Sequence, residues 1–218
     1  MTAISIKAER LLRRIRDLGQ IGRDRNGKLV RLAGSDADKA GRDAFVAWVR
    51  EAGLDVAIDR VGNVFGIWRD DANAGEAPVL VGSHIDTVID AGIYDGCYGV
   101  LSGLEVIETL KAGGFAPSRP IAVAAFTNEE GVRYAPDMMG SLVFAGGLRV
   151  EEALASVGTD GTVLGWNWSA SAMPGARNQT SSSPTPMSSF TSSKGRCWNA
   201  KGCRSALSRT SRVSPGSG

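Results

Sequence analysis

Two short apolar runs, separated by a segment of helix length, limit the folds open to this chain. Pro78-Val-Leu-Val-Gly82 and Ile121 to Phe126 are bounded by turn residues, which predicts strands buried on both faces of a mixed or parallel sheet. Between them, Gly99 to Lys111 predicts a helix that ends before Gly113-Gly114. A strand, a helix and a strand in that order are typical of α/β domains, whose ligands gather at the carboxyl ends of the strands.

The residues before the first run predict two helices and a strand pair. Apolar residues from Ile4 to Leu18 recur between charged ones at helical spacing, which indicates one amphipathic helix. Ser35-Asp36-Ala37-Asp38 has the spacing of a capping box, and the helix that it begins is predicted to stop near Gly53. Residues 55–59 and 63–68 are predicted to pair as strands around a turn at Val61-Gly62. The predicted class is α/β with flanking helices.

Five polar residues follow the two apolar runs and have the chemistry of a metal site. The chain's single histidine, His84, lies two residues before Asp86, and Asp95 follows in Tyr94-Asp95-Gly96. Glu129 and Glu130 come directly after the second run. A neutral imidazole and carboxylates suit zinc or manganese, and Asp95 is the candidate bridge between two ions. This combination favours a metal-dependent hydrolase.

The spacing also predicts separate roles around the ligands. His84 needs an acceptor for its second ring nitrogen, and Asp86 is near enough to be that acceptor. If Glu129 and Glu130 continue the strand, they point to opposite faces, so that one binds metal and the other moves protons. Each feature also has a structural interpretation. A lone histidine is commonly part of the structure, an Asp-Gly pair is commonly a turn, and Glu-Glu-Gly commonly ends an element.

Three motifs resemble those of a known family: Gly82-Ser-His-Ile-Asp-Thr-Val88, Gly92-Ile-Tyr-Asp-Gly96 with Gly99-Val-Leu101, and Thr127-Asn-Glu-Glu-Gly-Val-Arg-Tyr134. They are similar to the hydantoinase/carbamoylase branch of the zinc exopeptidase-like amidohydrolases of family M20. That branch includes N-carbamoyl-L-amino acid hydrolases, allantoate amidohydrolases and β-ureidopropionases. The resemblance covers about residues 5 to 165.

The resemblance implies that residues 1–165 are the N-terminal part of a mixed-sheet, metallo-exopeptidase-like catalytic domain that hydrolyses a carbamoyl or ureido C–N bond in a small molecule. It implies two divalent ions, zinc or manganese, with His84 and Glu130 each on a different ion and Asp95 bridging them. Glu129 would be the general base for the attacking water. Asp86 would assist catalysis by orienting His84 without binding metal itself. An intact member is expected to be a homodimer.

The chain departs from the family pattern in its histidines and its length. The family also uses a histidine in a His-Ile-Glu-Gln-Gly motif and another farther along the chain, whereas this chain has neither. We also expect this chain to lack the inserted lid and dimerisation domain of the family. We therefore expect weak metal binding, and an inactive fragment is the alternative to an active amidohydrolase. A metallopeptidase or deacylase of the same clan is the third interpretation.

The charge distribution separates residues 166–218 from the rest. All 23 acidic residues precede Trp166, and the following segment has 7 basic residues and 18 Ser and Thr. This composition predicts a disordered basic tail, and its charge alone would suit an arm that binds nucleic acid or a membrane. We favour an out-of-frame translation, with no nucleic-acid or membrane partner. Shifted by one base, the codons of Phe190 to Trp198 permit L-H-I-E-Q-G-P-V-L, which contains the missing motif, and the flanking residues also permit family-like sequence.

The expected location is the cytoplasm. Charged residues such as Arg10 and Arg13 interrupt the apolar residues near the N-terminus, which does not fit a signal peptide. No run approaches the roughly 20 apolar residues of a membrane span. Cys97, Cys197 and Cys203 form no CxxC pair, so a reducing compartment is the default.

Overall fold

The protein folds around a four-stranded mixed sheet with helices packed against it. A computed structural model describes residues 4–165. The elements in this range are α1 (Ala8–Leu18), α2 (Asp36–Glu51), β1 (Asp55–Ile58), β2 (Val64–Trp68), β3 (Val79–His84), α3 (Cys97–Ala112), β4 (Ile121–Phe126), α4 (Met139–Phe144) and α5 (Val150–Leu154). The strand order is β1-β2-β4-β3, with β3 and β4 parallel and the other neighbours antiparallel. The predicted α/β class with a mixed sheet is confirmed.

The first residues of α1 and α2 can be compared with their predicted starts. α1 begins at Ala8 rather than at Ile4, and Ile4 is 55% exposed, so the buried stripe starts with Leu11. At α2, Ser35 Oγ accepts a hydrogen bond from Asp38 N at 3.1 Å, as a capping residue should. The Asp38 carboxylate accepts from Gly34 N at 2.9 Å, not from Ser35 N. One half of the predicted capping box therefore forms.

β3 differs from its prediction in burial. The sequence predicts a strand buried on both faces, but Val79 and Val81 are 47% and 40% exposed. β3 lies at the edge of the sheet and, among the described strands, pairs with β4 alone. β4 lies between β2 and β3, and its Val123 and Ala124 are fully buried. The prediction for β3 is wrong because burial depends on neighbouring strands, which apolar composition does not specify.

The main core lies between the sheet and α1, α2 and α3. It includes Ile15, Phe45, Val64, Leu104 and Val123. A second cluster packs around the chain that follows β4, and it consists of Ala33, Val61, Tyr134, Met139, Ala153 and Leu164. None of the helices in the described part has the length and apolar character that crossing a bilayer requires.

The parallel pairing of β3 with β4 determines where the polar residues meet. In this pairing His84 lies opposite Phe126, so both strands end at the same edge of the sheet. α3 begins beside that edge, at Cys97, two residues after Asp95. The three segments that carry the candidate ligands therefore converge at one place.

Candidate metal centre

His84 is the last residue of β3, and its side chain is only 6% exposed. Its ring Nδ1 lies 2.9 Å from the main-chain oxygen of Asp86. A carbonyl oxygen only accepts hydrogen bonds, so this contact places a proton on Nδ1, and in the neutral ring the lone pair is then on Nε2. A ring nitrogen with a lone pair and a fixed orientation is what metal binding requires of a histidine.

A glycine beside Asp95 allows the His84 ring to pack against the main chain. Gly96 has a φ of 59°, and a Cβ at this position would lie 2.5 Å from three atoms of the ring. This close approach puts Asp95 Oδ1 3.9 Å from His84 Nε2. The Asp95 side chain is 69% exposed, so the site opens to solvent on this side.

The chain turns after β4 before it reaches the two glutamates. Asn128 has a φ of 52°, and its amide Nδ2 donates to the main-chain oxygens of Tyr134 at 2.8 Å and Pro136 at 3.0 Å. These bonds close a loop over the end of the strand. Glu129 and Glu130 therefore do not follow the alternation of a strand.

Both glutamates lie close to the histidine. Glu129 Oε2 is 3.3 Å from His84 Nε2, and the Glu129 side chain is 35% exposed. A carboxylate oxygen of Glu130 lies within 4.8 Å of donor atoms of both His84 and Asp95. The premise that the glutamates continue the strand is wrong, because β4 ends at Phe126. Their separate roles stay a prediction.

Asp86 contacts the histidine differently from the prediction. Its main-chain oxygen, rather than its carboxylate, is the hydrogen-bond acceptor for His84, and its Oδ1 lies 3.7 Å from Nδ1. The carboxylate accepts from the main-chain N–H groups of Glu129 at 3.3 Å and Glu130 at 3.2 Å. Burial raises the pKa of Asp86, and the nearby Asp38 raises it further. Asp86 therefore holds the histidine and the glutamate loop together.

His84, Asp95 and Glu130 have the donor atoms for one divalent ion, and these atoms all lie within 4.8 Å of one another. Glu130 Oε1 is buried and has no hydrogen-bond partner among the described residues. Burial raises the pKa of Glu130, and the neighbouring Asp95 and Glu129 raise it further, although His84 opposes this shift. A cation would provide the partner that this oxygen lacks, and imidazole with carboxylates fits zinc or manganese. The residues present fit a metal ion.

Sequence patterns did not identify Asn63, which supports the end of β4. Asn63 is fully buried, accepts from Thr127 N at 2.9 Å and donates to Gly140 O at 2.9 Å. A Cβ on Gly140 would lie 2.2 Å from Asn63 Oδ1, so only glycine fits there. The sole signal in the sequence was Val61-Gly62-Asn63, which predicts a turn and nothing more.

The Arg133-Tyr134 pair of the third motif anchors the glutamate loop without joining the candidate ligands. Arg133 donates to Asp160 Oδ2 at 3.0 Å through Nε and to Ala33 O at 3.1 Å through Nη1. Tyr134 is fully buried in the second core cluster. The motif therefore combines two residues near the site with two that hold their loop.

Comparison with known proteins identifies a family model and several relatives. The model described as peptidase family M28 matches residues 63–182. An N-carbamoyl-L-amino acid amidohydrolase of Geobacillus stearothermophilus is 40% identical over 146 residues, which cover 67% of this chain and 36% of the relative. A ureidoglycolate hydrolase of Arabidopsis thaliana is 35% identical, over 73% of this chain and 33% of the relative.

A solved structure agrees with these matches. The hydantoinase/carbamoylase family amidase from Burkholderia ambifaria has a TM-score of 0.73 and 46% identity, over 77% of this chain and 41% of that one. The chain thus spans roughly two fifths or less of the proteins that it matches. The hydantoinase/carbamoylase resemblance of the motifs is confirmed, while the matching model carries the name M28 rather than M20.

Proposed function

Because this chain belongs to peptidase family M28 and has N-carbamoyl-L-amino acid amidohydrolases among its relatives, we propose that it carries part of the site of a metal-dependent amidohydrolase. The proposed reaction is hydrolysis of a carbamoyl or ureido C–N bond, in a substrate of the N-carbamoyl amino acid, allantoate or ureidopropionate type. The observation that carries this proposal is the convergence of His84, Asp95 and Glu130 donor atoms within 4.8 Å.

The proposed ligands are Nε2 of His84, the Asp95 carboxylate and Oε1 of Glu130, which is the oxygen without a hydrogen-bond partner among the described residues. A divalent ion held there would polarise the scissile carbonyl. Zinc and manganese are the proposed ions. Asp95 is the proposed bridge to a second ion, for which this chain has no further histidine to offer.

Glu129 is the proposed general base. Its carboxylate is partly exposed and lies 3.3 Å from His84 Nε2, so it can reach both solvent and a substrate bound beside the histidine. It would take a proton from the attacking water onto a carboxylate oxygen and deliver it to the leaving nitrogen. Asp86 would keep Glu129 in place, because its buried carboxylate accepts the Glu129 N–H.

The other parts of the proposal concern the whole protein. A homodimer and a cytoplasmic location stay predictions. The boundary near residue 165, and the disordered or out-of-frame character predicted for residues 166–218, lie outside the described residues.

Resequencing the gene across the codons of Leu164 to Asn167 tests the reading frame. An extra base there would restore the family motif, and an unchanged reading would leave the present tail in place.

The experiment for Glu129 uses the frame-restored protein and N-carbamoyl amino acids, with ammonia release as the readout. We expect Glu129→Gln to retain bound metal and to lose about 10²- to 10⁴-fold in turnover, because the proton acceptor is gone. Glu76→Gln changes an exposed glutamate outside the site and is the matched control. Turnover by Glu129→Gln at the level of this control would remove Glu129 as the base.

A second candidate is that the 218-residue chain has no activity of its own. The specific observation in its favour is that His84 is the only histidine, whereas the family pattern uses more than one. The unaltered chain, loaded with Zn²⁺ or Mn²⁺ and given the same substrates, distinguishes the two candidates. Release of ammonia that His84→Ala abolishes would exclude the inactive fragment. A parallel panel of peptides and N-acyl amino acids tests the peptidase or deacylase alternative.

A further inference from the structure

Arg31 is fully buried, and the proposed mechanism does not use it. Its guanidinium donates to Leu18 O at 2.9 Å and to Ile21 O at 2.7 Å through Nη1. Its Nε donates to Ile85 O at 2.6 Å, and Nη2 donates to Cys97 Sγ at 3.3 Å. One side chain thus connects three segments of the chain.

Two of these segments carry candidate metal ligands. Ile85 lies between His84 and Asp86, and Cys97 lies two residues after Asp95. The main chain of Arg31 adds two more bonds to the first segment, because Arg31 N donates to Thr87 Oγ1 at 2.8 Å and Thr87 N donates to Arg31 O at 3.0 Å. Arg31 therefore links the histidine segment directly to the aspartate segment.

The surroundings of Arg31 are specific for arginine. The four acceptors of its guanidinium are three carbonyls and a thiol, in different directions, which suits a planar fork with five donors better than a single ammonium group. A Cβ on Gly41 of α2 would lie 2.9 Å from Arg31 Cδ, so the helix leaves room for the arginine stem. Burying this charge against neutral groups is costly, and apolar residues would fill a core at lower cost.

We propose that Arg31 is a positioning residue for the candidate metal centre, because it holds the His84 segment at a fixed distance from the Asp95 segment. This inference rests on the proposed metal site. A residue that only stabilised the fold would change the free energy of unfolding without changing how the folded protein binds an ion. Arg31 is expected to change the geometry of His84 in the folded protein as well.

The first test measures the His84 tautomer in the full chain without metal. His84 is the only histidine, so its ring signals in a long-range ¹H–¹⁵N spectrum need no assignment. In the unaltered chain, at a pH where the ring is neutral, we expect the Nδ1–H form. We expect Arg31→Lys to add a substantial fraction of the Nε2–H form, because Ile85 and the neighbouring Asp86 carbonyl lose their anchor.

The second test measures Mn²⁺ affinity by the loss of the free-ion EPR signal. Manganese prefers oxygen and imidazole ligands, so the three cysteines interfere less than they would with zinc. We expect Arg31→Lys to bind about 10-fold or more weakly, as expected for a residue that orients ligands. Arg14→Lys is the matched control, since Arg14 is 5% exposed but pairs with Glu108, away from both ligand segments. It should keep the affinity and the tautomer of the unaltered chain.

The outcomes separate the inference from the proposed function. If the unaltered chain binds Mn²⁺ no better than His84→Ala, the metal centre is wrong, and the role of Arg31 with it. If binding depends on His84 but Arg31→Lys keeps either the affinity or the tautomer of the unaltered chain, the role of Arg31 alone is wrong.

Circular dichroism checks folding. Should Arg31→Lys not fold, Thr87→Val replaces it, because it removes only the Oγ1 acceptor of Arg31 N. Unchanged Mn²⁺ affinity in Thr87→Val would then overturn the inference.

Discussion

The candidate site has a buried side and an exposed side, and the protein holds them in different ways. On the buried side, His84 is 6% exposed, packs on Gly96 and donates from Nδ1 to Asp86 O. On the exposed side, the side chains of Asp95 and Glu129 are 69% and 35% exposed. The orientation of the histidine is thus fixed by contacts within the protein, and we expect the exposed carboxylates to adjust to a bound ion or substrate.

The same comparison explains the electrostatics of the site. Three carboxylates, those of Asp95, Glu129 and Glu130, lie around the His84 imidazole. Burial raises the pKa of Glu130, and the neighbouring charges of Asp95 and Glu129 raise it further, as expected for like charges so close together. The buried side supplies fixed geometry, and the exposed side supplies negative charge. Both are needed to attract and orient a cation.

Gly96→Ala should disrupt the packing of the His84 ring on the buried side and have the largest effect on stability. The new Cβ would lie 2.5 Å from the His84 ring, and φ at this position is 59°. We expect a loss of about 2 to 4 kcal/mol in the free energy of unfolding, from strain and overpacking together. Urea denaturation followed by circular dichroism measures this loss.

The matched control for this substitution is Gly92→Ala in the same loop, where a Cβ would meet nothing within 4 Å. It should change the free energy of unfolding by no more than about 0.5 kcal/mol. Equal effects of the two substitutions would show that the His84 ring does not depend on close packing against Gly96.

Asp160→Asn tests the anchor of the glutamate loop and should have a smaller effect. Hydrogen bonds from Thr162, with help from Arg133, lower the pKa of Asp160 to about 2. Since the folded pKa is depressed, this carboxylate stabilises the fold above the ordinary aspartate pKa of about 4 and loses that effect as the pH falls through about 2. The unaltered protein should be slightly more stable than Asp160→Asn at pH 7, and the two urea midpoints should converge below pH 4. A difference that stays constant across this range would exclude the ionised pair as its cause.

The sequence predicted the elements of the fold better than their burial. The strand-helix-strand pattern correctly placed β3, α3 and β4, because strand and helix periodicities are local properties. The predicted burial of β3 was wrong. Val79 and Val81 are apolar residues typical of a core strand, but their strand lies at an edge of the sheet. Strand neighbours are set by the whole chain, and no local pattern records them.

In the candidate site, too, local features were predictable from the sequence and long-range contacts were not. Residue type and spacing were enough to select His84, Asp95 and Glu130, which the structure brings together. Their supports were not predictable, because Arg31 and Asn63 act through main-chain atoms of residues far away in sequence. The turn at Asn128, with a φ of 52°, likewise removed the strand alternation from which the glutamate directions were predicted.

Asp95→Asn tests the exposed side of the site, because it should affect metal binding without affecting stability. The Asp95 side chain is 69% exposed, so we expect the free energy of unfolding to change by no more than about 0.5 kcal/mol. The amide lacks the negative charge that a divalent ion prefers, so Mn²⁺ affinity should fall. Asp90→Asn is the control, since Asp90 is exposed in the same loop and pairs with Lys28 rather than with His84. If Asp95→Asn kept the affinity of this control, Asp95 would not be a ligand. If Asp95→Asn lowered the urea midpoint instead, Asp95 would contribute to the stability of the fold. The distinction between a fixed histidine and adjustable carboxylates would then not hold.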